Sequence, residues 1–159
     1  ETAGPLIAEE TLMTKEVLLS ISGLHYDVPA ESAEEENEPI EVITPATYYY
    51  KNGKHYIIYE ELVEGLPGSI KNKVRISDGM LEIIKSGISN FHMVFEKDKI
   101  NMTQYETPYG ELLVGVYTRD MKMDIQENEM DIRILYDLDI NGEKVADSEI
   151  TMSVRAKQE

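Results

Sequence analysis

Apolar and polar residues alternate along most of this chain with a period of two, and turn-forming residues interrupt the alternation at short, even intervals. Successive side chains of a strand face opposite sides of a sheet, so this pattern predicts short antiparallel strands in a sandwich or a barrel. Val17, Leu19 and Ile21 alternate with Leu18, Ser20 and Ser22. Residues 40–50 are β-branched and aromatic but contain Pro45, which points to an edge, a bend or a bulge because proline cannot donate to a ladder. Asn52-Gly53 predicts a type I′ hairpin, whose two central residues both need positive φ, and residues 55–63 form the return strand. Asp78-Gly79 predicts a second hairpin of the same kind between residues 71–77 and 80–86. Phe91, Met93 and Phe95 share one face, and Lys97-Asp98-Lys99 turns the chain into a strand over 100–106. Thr107-Pro108-Tyr109-Gly110 fits a type I turn. Residues 112–125 read as one curved strand or two, with Gly115 as the kink. Ile132, Ile134, Tyr136, Leu138 and Ile140 form the cleanest stripe, and Asn141-Gly142 turns it into a last strand ending with Ile150, Met152 and Val154.

No stretch carries a sustained helical period. About eight to ten strands joined by tight turns suggest an up-and-down meander, which removes its exposed edges by closing into a barrel. The predicted fold is therefore all-β, an antiparallel up-and-down barrel. A length of 159 residues suits one domain, which the pattern places at residues 15–157. Residues 1–14 are read as a tail. Met13-Thr14-Lys15-Glu16-Val17 resembles a natural start, so residues 1–12 are as readily an expression remnant as native chain. Within the domain, residues 27–39 form an acidic loop that includes Glu34-Glu35-Glu36 and Glu38.

The charge narrows the choice of partners. With 31 acidic and 15 basic residues the net charge is −16, a field that repels phosphate backbones and anionic lipid. Neither nucleic acid nor a membrane is an expected partner, and no protein partner can be named. Cysteine is absent, which excludes disulfides and thiolate chemistry. No apolar run approaches the roughly 20 residues of a membrane helix. A start at Met13 implies a cytoplasmic address, although a cleaved secretory signal would leave the same sequence.

At Tyr105-Glu106-Thr107-Pro108-Tyr109-Gly110, followed by Gly115-Val116-Tyr117-Thr118, the chain resembles the YwiB-like family of small bacterial proteins. Tyr48-Tyr49-Tyr50-Lys51-Asn52-Gly53-Lys54 with Tyr59-Glu60-Glu61, Ser86-Gly87 with Met93-Val94-Phe95, and Tyr136-Asp137-Leu138 with Asn141-Gly142-Glu143 follow in the same order. The resemblance spans roughly residues 15–154 and implies a calycin-type, lipocalin-like β-barrel of unestablished function. It supplies no catalytic residues. The loop over residues 28–39 is longer and more acidic than the family pattern.

Candidate chemistry is sparse. Asp137-x-Asp139-x-Asn141-Gly142 matches the first half of an EF-hand loop, but Ser148 stands where the bidentate Glu belongs, so a plain hairpin is expected. His25, His55 and His92 lack the spacing of a strand-borne metal site, and no metal or other cofactor is implied. Neither a nucleophile elbow nor a phosphate loop is present. An enzymatic role would need a perturbed group in a pocket, such as Glu106 or His92.

Polar residues on apolar stripes are more informative. Leu113, Gly115, Tyr117, Arg119, Met121 and Met123 share a face by period two. If that face is inward, Arg119 is a lumen charge that must meet a carboxylate, with Glu60 and Glu106 as protein candidates. The alternative is a bulge that sends Arg119 to water, or an internal ion pair that only fills space. Ten of twelve aromatics are tyrosine, which suits an amphipathic mouth as well as half-buried strands. The leading expectation is a non-catalytic barrel holding a small amphipathic or anionic ligand. Arg119, Tyr117, Tyr105, Glu106, Tyr109 and Glu60 are its candidate site residues. The rival expectation is an interaction module with a packed core, whose acidic loop contacts a basic partner.

Overall fold

The structure, a computed structural model, describes residues 14–24, 40–62, 64–65, 67–87, 90–107 and 110–157. The alternating stretches become ten strands: β1 (Lys15–Leu24), β2 (Ile40–Lys51), β3 (Lys54–Leu62), β4 (Ser69–Ser77), β5 (Met80–Gly87), β6 (Phe91–Phe95), β7 (Ile100–Thr107), β8 (Gly110–Ile125), β9 (Glu129–Ile140) and β10 (Glu143–Ala156). They form one antiparallel sheet in the order β6-β5-β4-β3-β2-β1-β10-β9-β8-β7. Every pair but β1–β10 is consecutive in the chain, and that pair joins the first strand to the last, Val17 opposite Ala156. The sheet's two outer strands, β6 and β7, are themselves consecutive. They meet through side chains, Phe91 standing edge-on to Tyr105 at 5.6 Å between ring centres. The expected all-β meander is thus a nearly closed barrel of ten strands.

Period two sorts the side chains. Val17, Leu19 and Ile21 point inward, as do Ile57 and Tyr59, Val74 and Ile76, Leu81 and Ile83, Val114 and Val116, and Ile132 through Leu138 on alternate positions. These make one continuous core with Ile150, Met152 and Val154. Burying each large aliphatic side chain contributes about 1.5–3 kcal/mol. Phe95 and Tyr136, both fully buried, meet edge-to-face at 5.2 Å, so side chains fill the middle of the barrel.

Two turns have the predicted form: Asn52 and Gly53 take φ of 52° and 80°, Asn141 and Gly142 of 51° and 90°. The Asp78-Gly79 turn differs, because only Gly79 has positive φ. The hairpin exists, but type I′ geometry does not. The other two central residues of the predicted type I turn, Pro108 and Tyr109, lie outside the described residues, as do residues 1–13 and the acidic loop.

β8 is a single strand of 16 residues, and its irregularity is at Arg119 rather than Gly115. Thr118 faces Tyr136 and Asp120 faces Leu135, leaving Arg119 as the extra residue of a bulge. Beside it, the turn between β6 and β7 docks on the Thr118 backbone: Asp98 N donates to Thr118 O at 2.7 Å, and Thr118 N to Lys99 O at 3.2 Å. A second bulge follows Ser22, where Gly23 (φ 93°) passes so close to β10 that a Cβ would lie 1.9 Å from Glu149 O.

Because strands alternate in direction, the barrel has two unlike ends. The turns at 52–53, 78–79, 96–99 and 126–128 lie at one, here the turn end. The last residues of β1, β3, β5 and β7, and the turn at 141–142, lie at the other, the loop end. Pairing of β2 with β3 covers only Thr47–Lys51 against Lys54–Ile58. Beyond Ile58, β3 pairs with β4 alone, and the first half of β2 pairs with β1 alone. Pro45 sits in that unpaired half, two residues before the ladder to β3 begins, which suits a residue without an N–H.

Candidate functional site at the loop end

Three inner stripes end in polar residues near the loop end. On β3 the series Ile57, Tyr59 continues to Glu61, and on β5 Leu81, Ile83 continues to Lys85. On β4 Asn72 stands between the buried Ile70 and Val74. Register brings the three together, with Asn72 opposite both Tyr59 and Lys85, and Glu61 opposite Ile70. Lys85 Nζ and Asn72 Nδ2 donate to the same carboxylate oxygen, Glu61 Oε1, at 3.3 Å and 3.2 Å.

Burial grades across this group. Asn72 is fully buried and only 5% of the Lys85 side chain is exposed, whereas Glu61 retains 38%. The ammonium is therefore largely desolvated, and its charge is balanced by a carboxylate that reaches water. Asn72 Oδ1 is buried without a hydrogen-bond partner, which leaves a strong acceptor unsatisfied. Aromatic walls flank the group: Tyr59 on β3, Phe91 opposite Lys85 on β6, and Tyr105 edge-on to Phe91 from β7. Glu61 stands beyond the end of the β2–β3 ladder, where β3 is paired with β4 alone. Chemically, the site offers a cation, an anion and an unpaired amide oxygen between apolar rings.

Of the sequence-predicted site residues whose side chains are described, only Tyr105 comes to this group, through its contact with Phe91. Arg119 does not face the lumen. The bulge turns it outward, 41% exposed, where its Nε donates to Asp137 Oδ1 at 2.9 Å. The same extra residue exchanges the faces of β8, so that Val114, Val116 and Thr118 point inward before the bulge and Met121 and Met123 after it. Tyr117 is consequently half-buried on the outer wall, between Ile100 and Asp137. Glu60 is exposed opposite Lys71 and takes no part in holding Arg119. The side chain of Glu106 and all of Tyr109 lie outside the described residues. Glu61, Asn72 and Lys85 were missed, yet their signal was the one used for Arg119: a polar residue continuing an apolar stripe.

Other polar groups lie elsewhere. On the outer face, Arg75 grips Glu82 with two bonds of 2.7 Å and 2.8 Å, and His92 Nε2 approaches the same carboxylate at 3.0 Å. The Arg75 bonds, aided by His92, hold the Glu82 carboxyl below the usual carboxylate range. Inside the barrel, Thr118, Tyr136 and Ser148 form a row of buried hydroxyls across three strands. Burial pushes the Tyr136 hydroxyl up to about 12, with Ser148 opposing the shift. An open furrow of about 310 Å3 on the outer wall runs between Lys122, Arg133 and Asp131, where Glu149 and Arg155 already pair with Arg133 and Asp131. The calcium-like stretch is strand and hairpin, with Asp137 bound to Arg119. Among the described residues no group of three or more His, Asp or Glu is arranged to hold a metal.

With this geometry in view, comparison with known proteins is decisive for the family. The model of a domain of unknown function, DUF1934, matches residues 28–152. The chain belongs to this family. A relative, the uncharacterised β-barrel protein YwiB of Bacillus subtilis (strain 168), is 30% identical over 107 residues, which are 67% of this chain and 74% of that protein. The crystal structure of that Bacillus subtilis protein superposes with a TM-score of 0.72 at 22% identity, covering 96% of this chain and 99% of the other. The likeness in structure establishes the barrel fold. Among the described residues no helix is long and apolar enough to cross a membrane.

Proposed function

We propose that this DUF1934 barrel is a non-catalytic binding module for a small amphipathic, anionic ligand held at the loop end. The observation that carries the reading is Lys85, a lysine with 5% of its side chain exposed on the inner wall. It stands opposite Asn72, whose Oδ1 is unpartnered, and opposite Phe91, against which Tyr105 packs edge-on. A desolvated ammonium attracts an anion more strongly than a surface lysine does. The aromatic walls accept the apolar part of the ligand. Because side chains fill the middle of the barrel, the ligand sits at the mouth and does not run through the lumen.

Native mass spectrometry of the protein purified from its own host tests this reading. A reproducible extra mass that is lost in Lys85→Met is the expected result. Folded protein with no extra mass in either form would reject it.

The packed middle also supports a second reading, an interaction module whose acidic loop over residues 27–39 contacts a basic partner. Deleting that loop then abolishes capture of the partner while the barrel stays folded, and undiminished capture would reject the idea.

A further inference from the structure

Glu61, Asn72 and Lys85 contain more recognition chemistry than an anion requires. An anion site gains nothing from a carboxylate placed against its cation, since Glu61 competes for Lys85 and repels the ligand. Asn72 has its amide fixed with Nδ2 toward Glu61, so Oδ1 is the buried atom left without a donor. Supplying a donor to such an atom recovers the cost of its desolvation. The natural complement to Glu61 Oε1 and Asn72 Oδ1 together is an ammonium. The complement to Lys85, whose ammonium bonds several acceptors at once, is a carboxylate.

Deepening the reading above, on which it rests, we infer that the loop-end site takes a zwitterion of the α-amino-acid kind. Its carboxylate meets Lys85, its ammonium meets Glu61 and Asn72 Oδ1, and its apolar or aromatic side chain packs against Phe91 and Tyr105. This pairing is also compatible with the protein's net charge of −16, which disfavours a purely anionic ligand at long range. The water-reaching Glu61, next to the parted β2–β3 wall, gives the ligand its entry.

Isothermal titration of the full chain with three matched probes tests the inference: phenylalanine, 3-phenylpropanoate, which lacks the amine, and 2-phenylethylamine, which lacks the carboxylate. Phenylalanine should bind at least about tenfold tighter than either. Asn72→Ala should narrow the gap between phenylalanine and 3-phenylpropanoate, and Lys85→Met the gap between phenylalanine and 2-phenylethylamine. Arg119→Ala, on the outer wall, should change none of the three. If 3-phenylpropanoate binds as tightly as phenylalanine, the zwitterion is wrong and the anionic site stands. If no probe binds at millimolar concentration to protein whose far-ultraviolet spectrum shows the folded barrel, both fall. Should Asn72→Ala fail to fold, Glu61→Gln replaces it with the same expectation.

Discussion

The two ends of this barrel are closed by different means. At the turn end, short connections leave a niche of about 20 Å3, and backbone groups find partners within reach. Lys157 N donates to Glu16 O, Ala156 N to Asn128 O, and Lys15 Nζ bridges to Glu127 O and Asn128 Oδ1 at 3.0 and 3.1 Å. At the loop end the β2–β3 ladder has already stopped, and an ion pair with an orphaned amide occupies the inner wall. One end is satisfied by its own chain, while the other keeps polar atoms that a second molecule could satisfy. That contrast, more than any single motif, is what the proposed binding site rests on.

The sharpest way to break the contrast is at the wall itself. Gly23→Ala would drive a methyl into the β10 backbone at a φ that alanine resists. It should cost on the order of 3 kcal/mol, read by urea denaturation. A loss below about 1 kcal/mol would mean that the β1–β10 wall near the loop end yields, so the closure is softer than drawn.

Next come the two lysines. Lys85→Ala removes the buried ammonium that pairs with Glu61 and leaves its space on the inner wall unfilled, and should cost about 2 kcal/mol. Lys15→Ala at the turn end removes exposed bonds and should cost at most about 1 kcal/mol. Equal losses by thermal or chemical denaturation would erase the distinction between the ends.

Acid probes the half of the barrel nearer the turn end in two steps. His55, at the turn end, shares a hydrogen bond of 2.9 Å between its Nδ1 and Tyr48 Oη, and burial lowers its pKa from 6.5. The unfolded chain then binds more protons below about pH 6.5, so stability falls as pH drops through that value. Glu82 also has a depressed pKa. Its stabilisation is complete above its unfolded value of 4.5 and is lost as pH falls through the folded one. Midpoints of unfolding against pH should show both declines, and His55→Gln should remove only the one nearer neutrality. Retention of both in His55→Gln would assign that decline to another group.

The smallest effect expected is from Arg119→Ala. Its pair with Asp137 is exposed and worth no more than about 1 kcal/mol. A larger loss in denaturation would give the outer wall a structural weight that the geometry denies it.

Much of the fold was legible. Strand alternation and the Asn-Gly turns depend on neighbours in sequence, and period two assigned most inner residues once one face was known to be buried. The Asp78-Gly79 turn was legible as a hairpin but not in its type, since the dipeptide permits more than one φ at aspartate. The site was less legible. The polar stripe criterion was applied to Arg119 on β8, where a bulge breaks the parity it assumes. On β3, β4 and β5 the parity holds without interruption, and Glu61, Asn72 and Lys85 stand on it.

The amino-acid sequence by itself determined an all-β chain, its hairpins, its acidity and the stripes that build the core. These follow from contacts between residues close along the chain. Only the tertiary structure decided that β1 meets β10, that Thr118 receives the β6–β7 turn beside the bulge that turns Arg119 outward, and that two donors from separate strands share one oxygen of Glu61. Each of those depends on which backbone groups find partners across the closed sheet, and local sequence exerts no force on that choice.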